Sequence, residues 1–255
     1  MTIRNLDSVF RPRSVAVVGA SGRAGSIGRI LLENLRGSGF AGPIFPVNPK
    51  HAEVLGLRTY PDVRSLPSAP DLAVIAVPAQ AVPATVAELA ARGTRGAVVI
   101  SAGFGGHEHA LEREMLAAAR PALLRIVGPN TLGVIVPNAG LDASFAQVRA
   151  PAGGLGFVTQ SGAVLTSVLD WAVPRGIGFS HLVALGDMAD VDFGDMLDYL
   201  ANDDATRAIL LYIEAITQPR KFMSAARAAA RTKPVIAVKG GRHAASGGAA
   251  ASHTG

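Results

Sequence analysis

His253 lies in a stretch of glycine, alanine, serine and threonine that follows an apolar run at 235–238 and carries Gly240, Gly241, Gly247, Gly248, Ser252, Thr254 and Gly255. Such a segment is a poor way to build a core and a good way to present an imidazole to a mobile phosphate. Glu214 closes the apolar run Leu210-Leu211-Tyr212-Ile213. A carboxylate at the end of a central strand is expensive to bury without a partner. One reading is a carboxylate that accepts a hydrogen bond from a histidine, fixing its tautomer and raising the basicity of the other nitrogen. His253 is the candidate partner. The plain alternative is a turn residue exposed to water.

Ser161 and Gly162 stand where a strand turns sharply into a helix, in Phe157-Val158-Thr159-Gln160-Ser161-Gly162-Ala163. A nucleophilic serine at such an elbow needs Gly-x-Ser-x-Gly. Here the flanking positions are Thr159 and Ala163, so the match fails. The favoured reading is an N-cap serine whose helix start also receives an anion.

A second anion site is written near the N-terminus. An apolar run at 14–18 enters Gly19-Ala20-Ser21-Gly22-Arg23-Ala24-Gly25-Ser26-Ile27-Gly28 and then a helical pattern. Glycines let the backbone approach a phosphate, and the helix start supplies free N–H groups; tight packing alone is the plain alternative. The next strand ends in Asn48-Pro49-Lys50, where a NAD site wants a carboxylate for the ribose hydroxyls. That disfavours NAD and suits a ligand with an extra phosphate, NADP or coenzyme A. Arg23 and Lys50 are the cations to meet it, or are ordinary surface charges. Later strand ends carry small residues: Val77-Pro78, Ser101-Ala102-Gly103 and Asn130. They leave room for a long, thin ligand such as pantetheine.

These residues need a scaffold, and 255 residues suffice for one large or two medium α/β domains. With 49% hydrophobic but only 5% aromatic residues, the core is built from Ala, Val, Leu and Ile, which suits parallel sheets under helices. Strands are expected at 14–18, 43–47, 72–76, 97–100, 124–127, 156–159, 180–184, 208–212 and 235–238. Helices fall between them at 27–35, 82–91, 109–119, 163–171, 193–201 and 221–230. This alternation implies right-handed parallel crossovers. The rhythm breaks over 133–154, where Pro137, Asn138, Gly140, Pro151, Gly153 and Gly154 read as a linker. The expected division is 1–146 and 147–255, two doubly wound domains, the second C-terminally incomplete.

The absence of cysteine excludes thiol catalysis, disulfides and Cys-ligated metals within the chain. No apolar run is long enough for a membrane span and no signal-peptide pattern opens the sequence, so a cytoplasmic protein with no membrane partner is expected. The net charge of +5 comes from scattered cations without aromatic interleaving, which points to anionic small molecules rather than nucleic acid. The remaining histidines, His51, His107, His109, His181 and His243, read as structural or surface residues, and no metal site is expected.

The ordered set of motifs resembles the α-subunit region of the ADP-forming acyl-CoA synthetases, relatives of succinyl-CoA synthetase. The resemblance rests on the opening at 6–21, on Val47-Asn48-Pro49, Ser101-Ala102-Gly103-Phe104 and Gly128-Pro129-Asn130, and on Thr159-Gln160-Ser161-Gly162, Tyr212-Ile213-Glu214 and Ser252-His253-Thr254-Gly255. It implies a Rossmann-like CoA-binding domain and a flavodoxin-like domain of the succinyl-CoA synthetase type. The implied mechanism converts acyl-CoA and phosphate to acyl phosphate and CoA. The phosphoryl group then passes to His253 and on to ADP in an ATP-grasp module. The resemblance further implies that Glu214 steadies the histidine and that the helix start at Ser161 and Gly162 points at phosphate. Gly19, Ser21, Gly22, Arg23, Gly25, Asn48, Lys50, Val77, Pro78, Ser101, Ala102, Gly103 and Asn130 are the expected CoA-binding positions. ADP or ATP and Mg2+ belong to an ATP-grasp subunit or C-terminal domain, within an oligomer.

Three other readings stand beside it. One is the acyl-CoA-sensing region of a protein lysine acetyltransferase, which often lacks the phosphorylatable histidine. Another is a CoA-binding regulatory module without chemistry. The third, an NADP-dependent reductase, leaves the second domain unexplained. The acyl pocket is expected near 101–105, Asn130 and the second domain, and small residues there favour a small acid such as acetate.

Overall fold

The computed structural model describes residues 3–104 and 109–240. Two sheets share one core. The first is entirely parallel, with β1 (Val15–Val18), β2 (Ile44–Val47), β5 (Leu72–Ile75), β6 (Gly96–Val99) and β7 (Arg125–Val127) in the order β2-β1-β5-β6-β7. A small hairpin, β3 (Glu53–Val54) and β4 (Leu57–Arg58), lies between β2 and β5 in sequence. Every residue of β1, β5 and β6 is buried, which is why these strands read as unbroken Val, Ala and Ile runs rather than as an alternating pattern. The pleat still sorts them. Val15, Val17, Val74 and Val98 face one core, while Ala16, Val18, Ala73, Ile75, Ala97 and Val99 face another under α3 (Val82–Arg92) and α4 (Ala110–Ala119).

The second sheet has the order β13-β12-β10-β11-β8-β9. Its parallel part is β10 (Ala152–Thr159), β11 (Phe179–Ala184), β12 (Ala208–Ile213) and β13 (Val235–Lys239). The stretch read as a linker differs. Residues within 133–144 form β8 (Gly133–Val136) and β9 (Leu141–Ser144), which extend this sheet antiparallel beside β11. Pro137, Asn138 and Gly140 make the turn between the two strands, Pro151 precedes β10, and Gly153 and Gly154 lie within it. The chain thus passes from sheet to sheet between Val127 and Gly133, across a cis Gly128–Pro129 bond.

One core joins the inward side of the first sheet to Val134, Val136, Val158, Val183 and Leu211 of the second. Leu31 and Leu35 of α2 (Ile27–Gly37), Phe10 of α1 (Asp7–Phe10) and Leu197 and Leu200 of α6 (Phe193–Ala201) belong to it. The other side of the second sheet is closed by Leu165 and Leu169 of α5 (Gly162–Ala172) against Phe157 and Leu182. The last described helix, α7 (Pro219–Ala229), lies beside α6 and buries Ala225 and Ala229.

The parallel strands follow the doubly wound order 2-1-3-4-5 in the first sheet and 2-1-3-4 in the second. The strand order reverses between β1 and β5 in the first sheet and between β10 and β12 in the second. Ligands of such sheets bind outside the carboxyl ends of the strands at these switch points.

Candidate functional site

At the first switch point the glycine loop leaves β1, and its glycines fall into two kinds. Gly19 has φ +95°, and a Cβ there would stand 2.3 Å from the Ala76 carbonyl oxygen; a Cβ on Gly28 would stand 2.1 Å from the Gly19 carbonyl oxygen. These two let the strands and α2 pack closely. Gly22 and Gly25 face open space, the latter with φ +72°. They leave the loop backbone open on that side. The loop is held by its own hydroxyls: Ser21 Oγ accepts from the Arg23 amide at 3.1 Å, and Ser26 Oγ donates to the Arg23 carbonyl at 2.7 Å. Arg29 closes it with a 2.8 Å bond to the Gly22 carbonyl.

Asn48 serves this loop. Its Nδ2 donates to the Ala20 carbonyl at 2.7 Å, and its Oδ1 accepts from the Lys50 amide at 2.8 Å. The neutral residue in place of a ribose-binding carboxylate therefore ties β2 to the glycine loop. Arg23 and Lys50 are exposed, and neither side chain forms an ion pair with a described residue.

The second switch point is built around α5. Ser161 is extended (φ −91°, ψ 120°) and its Oγ accepts from the Val164 amide at 3.3 Å, the N-cap arrangement. Buried Thr159 fixes the turn: its Oγ1 accepts from the Ser161 amide at 3.0 Å and donates to the Ser161 carbonyl at 3.2 Å. The amides of Gly162 and Ala163, the next in the first turn, are left for an acceptor from outside the helix. A Cβ on Gly162 would press on Leu132 at 3.2 Å. Half-buried Glu214 directly follows β12. The side chain of Gln160 binds its turn, Oε1 accepting from the Glu214 and Ala215 amides at 2.7 Å each. Lys239 Nζ donates to the Glu214 carbonyl at 2.8 Å. His253 and His243 lie outside the described residues, as do Gly105 and His107.

One cavity of about 570 Å³ joins the two halves. Val77, Ser101, Ala102 and Asn130 line it from the first domain, and Gly162, Ala163 and Thr166 of α5 line it from the second. Leu132, Phe145 and Ile27 complete an apolar wall. Ser101 Oγ donates to the Val77 carbonyl. Asn130 has φ +58°, and its Nδ2 donates to Asp187 Oδ1 at 3.1 Å. Burial pushes the Asp187 carboxyl up, and that Asn130 bond opposes the shift. Gly186 admits the 128–130 loop, since a Cβ there would lie 2.2 Å from the Pro129 carbonyl oxygen. Pro78 and Gly103 are exposed beside this wall.

Of the residues singled out from the sequence, Val77, Ser101, Ala102, Asn130 and Gly162 line this cavity, while residues 19–25 of the glycine loop, Asn48, Lys50, Ser161 and Glu214 are not part of its lining. Phe145 and Thr166 of the lining were not singled out from the sequence, nor were Gln160, Lys239 and Asp187, which bond the Glu214 turn and Asn130. Only Gln160 carried a local signal, as a polar residue at a buried strand end next to an N-cap. Among the other histidines, His51 and His109 are exposed, and His181 is buried against Phe10 and Tyr199. No cluster of three or more metal-ligating side chains exists among the described residues.

The fold is that of two joined doubly wound domains, each with its switch point turned toward one cavity. A family model for a CoA binding domain matches residues 13–137, and one for the succinyl-CoA ligase like flavodoxin domain matches residues 152–255. The chain is 44% identical over 253 residues to acetate–CoA ligase [ADP-forming] I of Archaeoglobus fulgidus, covering 98% of this chain and 37% of that protein. It is 39% identical to subunit alpha of acetate–CoA ligase [ADP-forming] I of Pyrococcus furiosus, covering 98% of this chain and 56% of that subunit. A solved dinucleotide forming acetyl-coenzyme A synthetase 1 of Ca. Korarchaeum cryptofilum, in complex with phosphate and ADP, superposes with a TM-score of 0.92 at 38% identity, over 98% of this chain and 54% of that one. The chain belongs to the ADP-forming acyl-CoA synthetase family and matches just over half of its α subunit. It spans between about a third and just over half of the length of the curated relatives it matches.

Proposed function

We propose that this chain is the CoA-binding and phosphohistidine-bearing part of an enzyme that interconverts acyl-CoA, ADP and phosphate with free acid, CoA and ATP. The carrying observation is the single cavity bounded by the strand ends of the CoA-binding domain on one side and the N-terminus of α5 on the other. CoA enters along the glycine loop, with Gly22 and Gly25 open to its phosphates and Arg23 and Lys50 as counter-charges. Its pantetheine arm follows Val77, Pro78, Ser101, Ala102, Gly103 and Asn130 into the cavity. Phosphate sits at the Gly162 and Ala163 amides, where the helix dipole favours negative charge.

There a phosphate oxygen attacks the thioester carbonyl and the CoA thiolate leaves, giving acyl phosphate. A ring nitrogen of His253 attacks phosphorus and the carboxylate leaves. Glu214 accepts a hydrogen bond from the other ring nitrogen and stabilises the charge formed. Phosphoryl transfer is governed by positioning and electrostatics, so a dipole, a carboxylate and an imidazole supply what this half contributes. Passage to ADP takes place on an ATP-grasp subunit or domain with Mg2+, within an oligomer in the cytoplasm. No helix among the described residues is long and apolar enough to cross a membrane.

The test combines the chain with its ATP-grasp partner, radiolabelled ATP and Mg2+. Acid-labile, base-stable label that vanishes in His253→Ala is expected. Absence of label with CoA binding intact overturns the proposal in favour of an acyl-CoA-sensing module, such as that of a lysine acetyltransferase.

A further inference from the structure

The cavity and α5 account for ligands, but nothing in them explains why a glutamine stands between Thr159 and Ser161. Gln160 follows the last residue of β10 and reaches across the switch point to the turn after β12, 54 residues away in sequence. Its Oε1 receives two backbone N–H groups, those of Glu214 and Ala215, both at 2.7 Å. Two amide donors meet only an oxygen, so the carboxamide orientation is fixed. The same turn is gripped from the far side by Lys239 Nζ on the Glu214 carbonyl. The Gly240 amide, beside Lys239, donates to the Ile213 carbonyl at 2.9 Å. The peptide units on both sides of Glu214 are thereby tied to β10 and β13.

We infer that Gln160 is a positioning residue for the phosphoryl-transfer step: it sets the Glu214 carboxylate relative to the Ser161–Gly162 phosphate site through the backbone. The inference rests on the function proposed above. The chemistry favours it over a packing role. Gln160 is half-buried, its acceptor is spent on two main-chain donors, and its Nε2 bonds no described residue. A backbone clamp at that point fixes the carboxylate without placing a competing charge beside phosphate. Catalytic groups lose rate steeply when displaced by an ångström, which gives such a clamp its value.

The experiment is a double-mutant cycle in the complete enzyme, with phosphorylation of His253 by ATP read in a single turnover. Gln160→Met keeps the volume and removes both acceptor interactions; Gln160→Ala is carried through the same cycle in case the first variant fails to fold. Phosphorylation is expected to slow about tenfold or more with CoA affinity unchanged. In a Glu214→Gln background the same substitution is expected to have little further effect, because its action runs through that carboxylate. A wild-type rate, or an effect fully additive with Glu214→Gln, overturns the inference while the proposed function stands. No phosphohistidine in the wild-type enzyme overturns the function, and this inference with it.

Discussion

Asn48 Nδ2 donates a 2.7 Å hydrogen bond to the carbonyl oxygen of Ala20, tying the end of β2 to the glycine loop that leaves β1. The bond makes the loop's shape depend on a residue in the neighbouring strand. Asn48→Asp retains the acceptor for the Lys50 amide but places a carboxylate oxygen against the Ala20 carbonyl. The variant is expected to lose about 1 kcal/mol of stability and to bind CoA roughly tenfold more weakly. Denaturant unfolding and calorimetric titration with CoA read the two effects. Unchanged CoA affinity would show that the clamp does not shape the ligand site.

The two kinds of glycine in that loop predict opposite outcomes. Gly28→Ala drives a Cβ to 2.1 Å from the Gly19 carbonyl oxygen and is expected to destabilise by about 2–4 kcal/mol. Gly22→Val meets open space. It is expected to leave the melting temperature within about 2 °C and to weaken CoA binding by obstructing the approach to the backbone. A Gly22→Val protein with wild-type CoA affinity would place the phosphates elsewhere.

The contrast shows which parts of the molecule were legible in the sequence. β1, β5 and β6 were visible because strands buried on both faces are written as continuous apolar runs. The glycine loop was visible because its shape is set within ten residues. The pairing of β8 and β9 was not. Gly133-Val134-Ile135-Val136 pairs locally with β9, but the hairpin joins the sheet through β11, nearly fifty residues later, and prolines and glycines around it imitate a linker. Gln160 was hidden for the same reason. Its identity is local, while its meaning lies in the distant amides of Glu214 and Ala215.

Two buried ionisable groups predict opposing pH dependences. Burial lowers the His181 pKa to about 4, with Asp203 3.7 Å away opposing the shift. The unfolded chain therefore binds the extra proton first, and stability falls as pH drops from about 6.5 toward 4. Burial raises Asp142 to about 6 against the Ser144 hydroxyl, 2.6 Å away. The folded chain then takes up the proton first, adding stability as pH falls through 6. Between pH 7 and 4.5 each contributes about 2 kcal/mol of opposite sign. Asp142→Asn is expected to make the protein acid-labile by about that amount relative to wild type. His181→Phe is expected to make it relatively acid-resistant. Urea unfolding at the two pH values decides, and parallel behaviour of the two variants would refute the assignment.

The last prediction concerns how the two sheets stay together. Arg125, at the start of β7, bonds Asp190 Oδ2 at 2.9 Å and Asp195 Oδ2 at 3.1 Å. Lys221 of α7 reaches the same Asp195 oxygen at 2.7 Å and Asp192 at 2.9 Å. The Asp195 side chain is 1% exposed, and burial pushes its carboxyl up while Lys221 and Arg125 hold it down. A charge so buried is costly once a partner is removed. Arg125→Met keeps much of the apolar stem and deletes the guanidinium. It is expected to destabilise by about 3 kcal/mol, and 1 M salt is expected to leave most of that loss in place, since buried pairs are little screened. Asp190→Asn, at a carboxylate 27% exposed, is expected to lose about 1 kcal/mol. Unfolding of both variants at low and high salt separates the cases. Equal, salt-erased losses would show that Arg125 acts as a surface charge and that apolar packing alone joins the sheets.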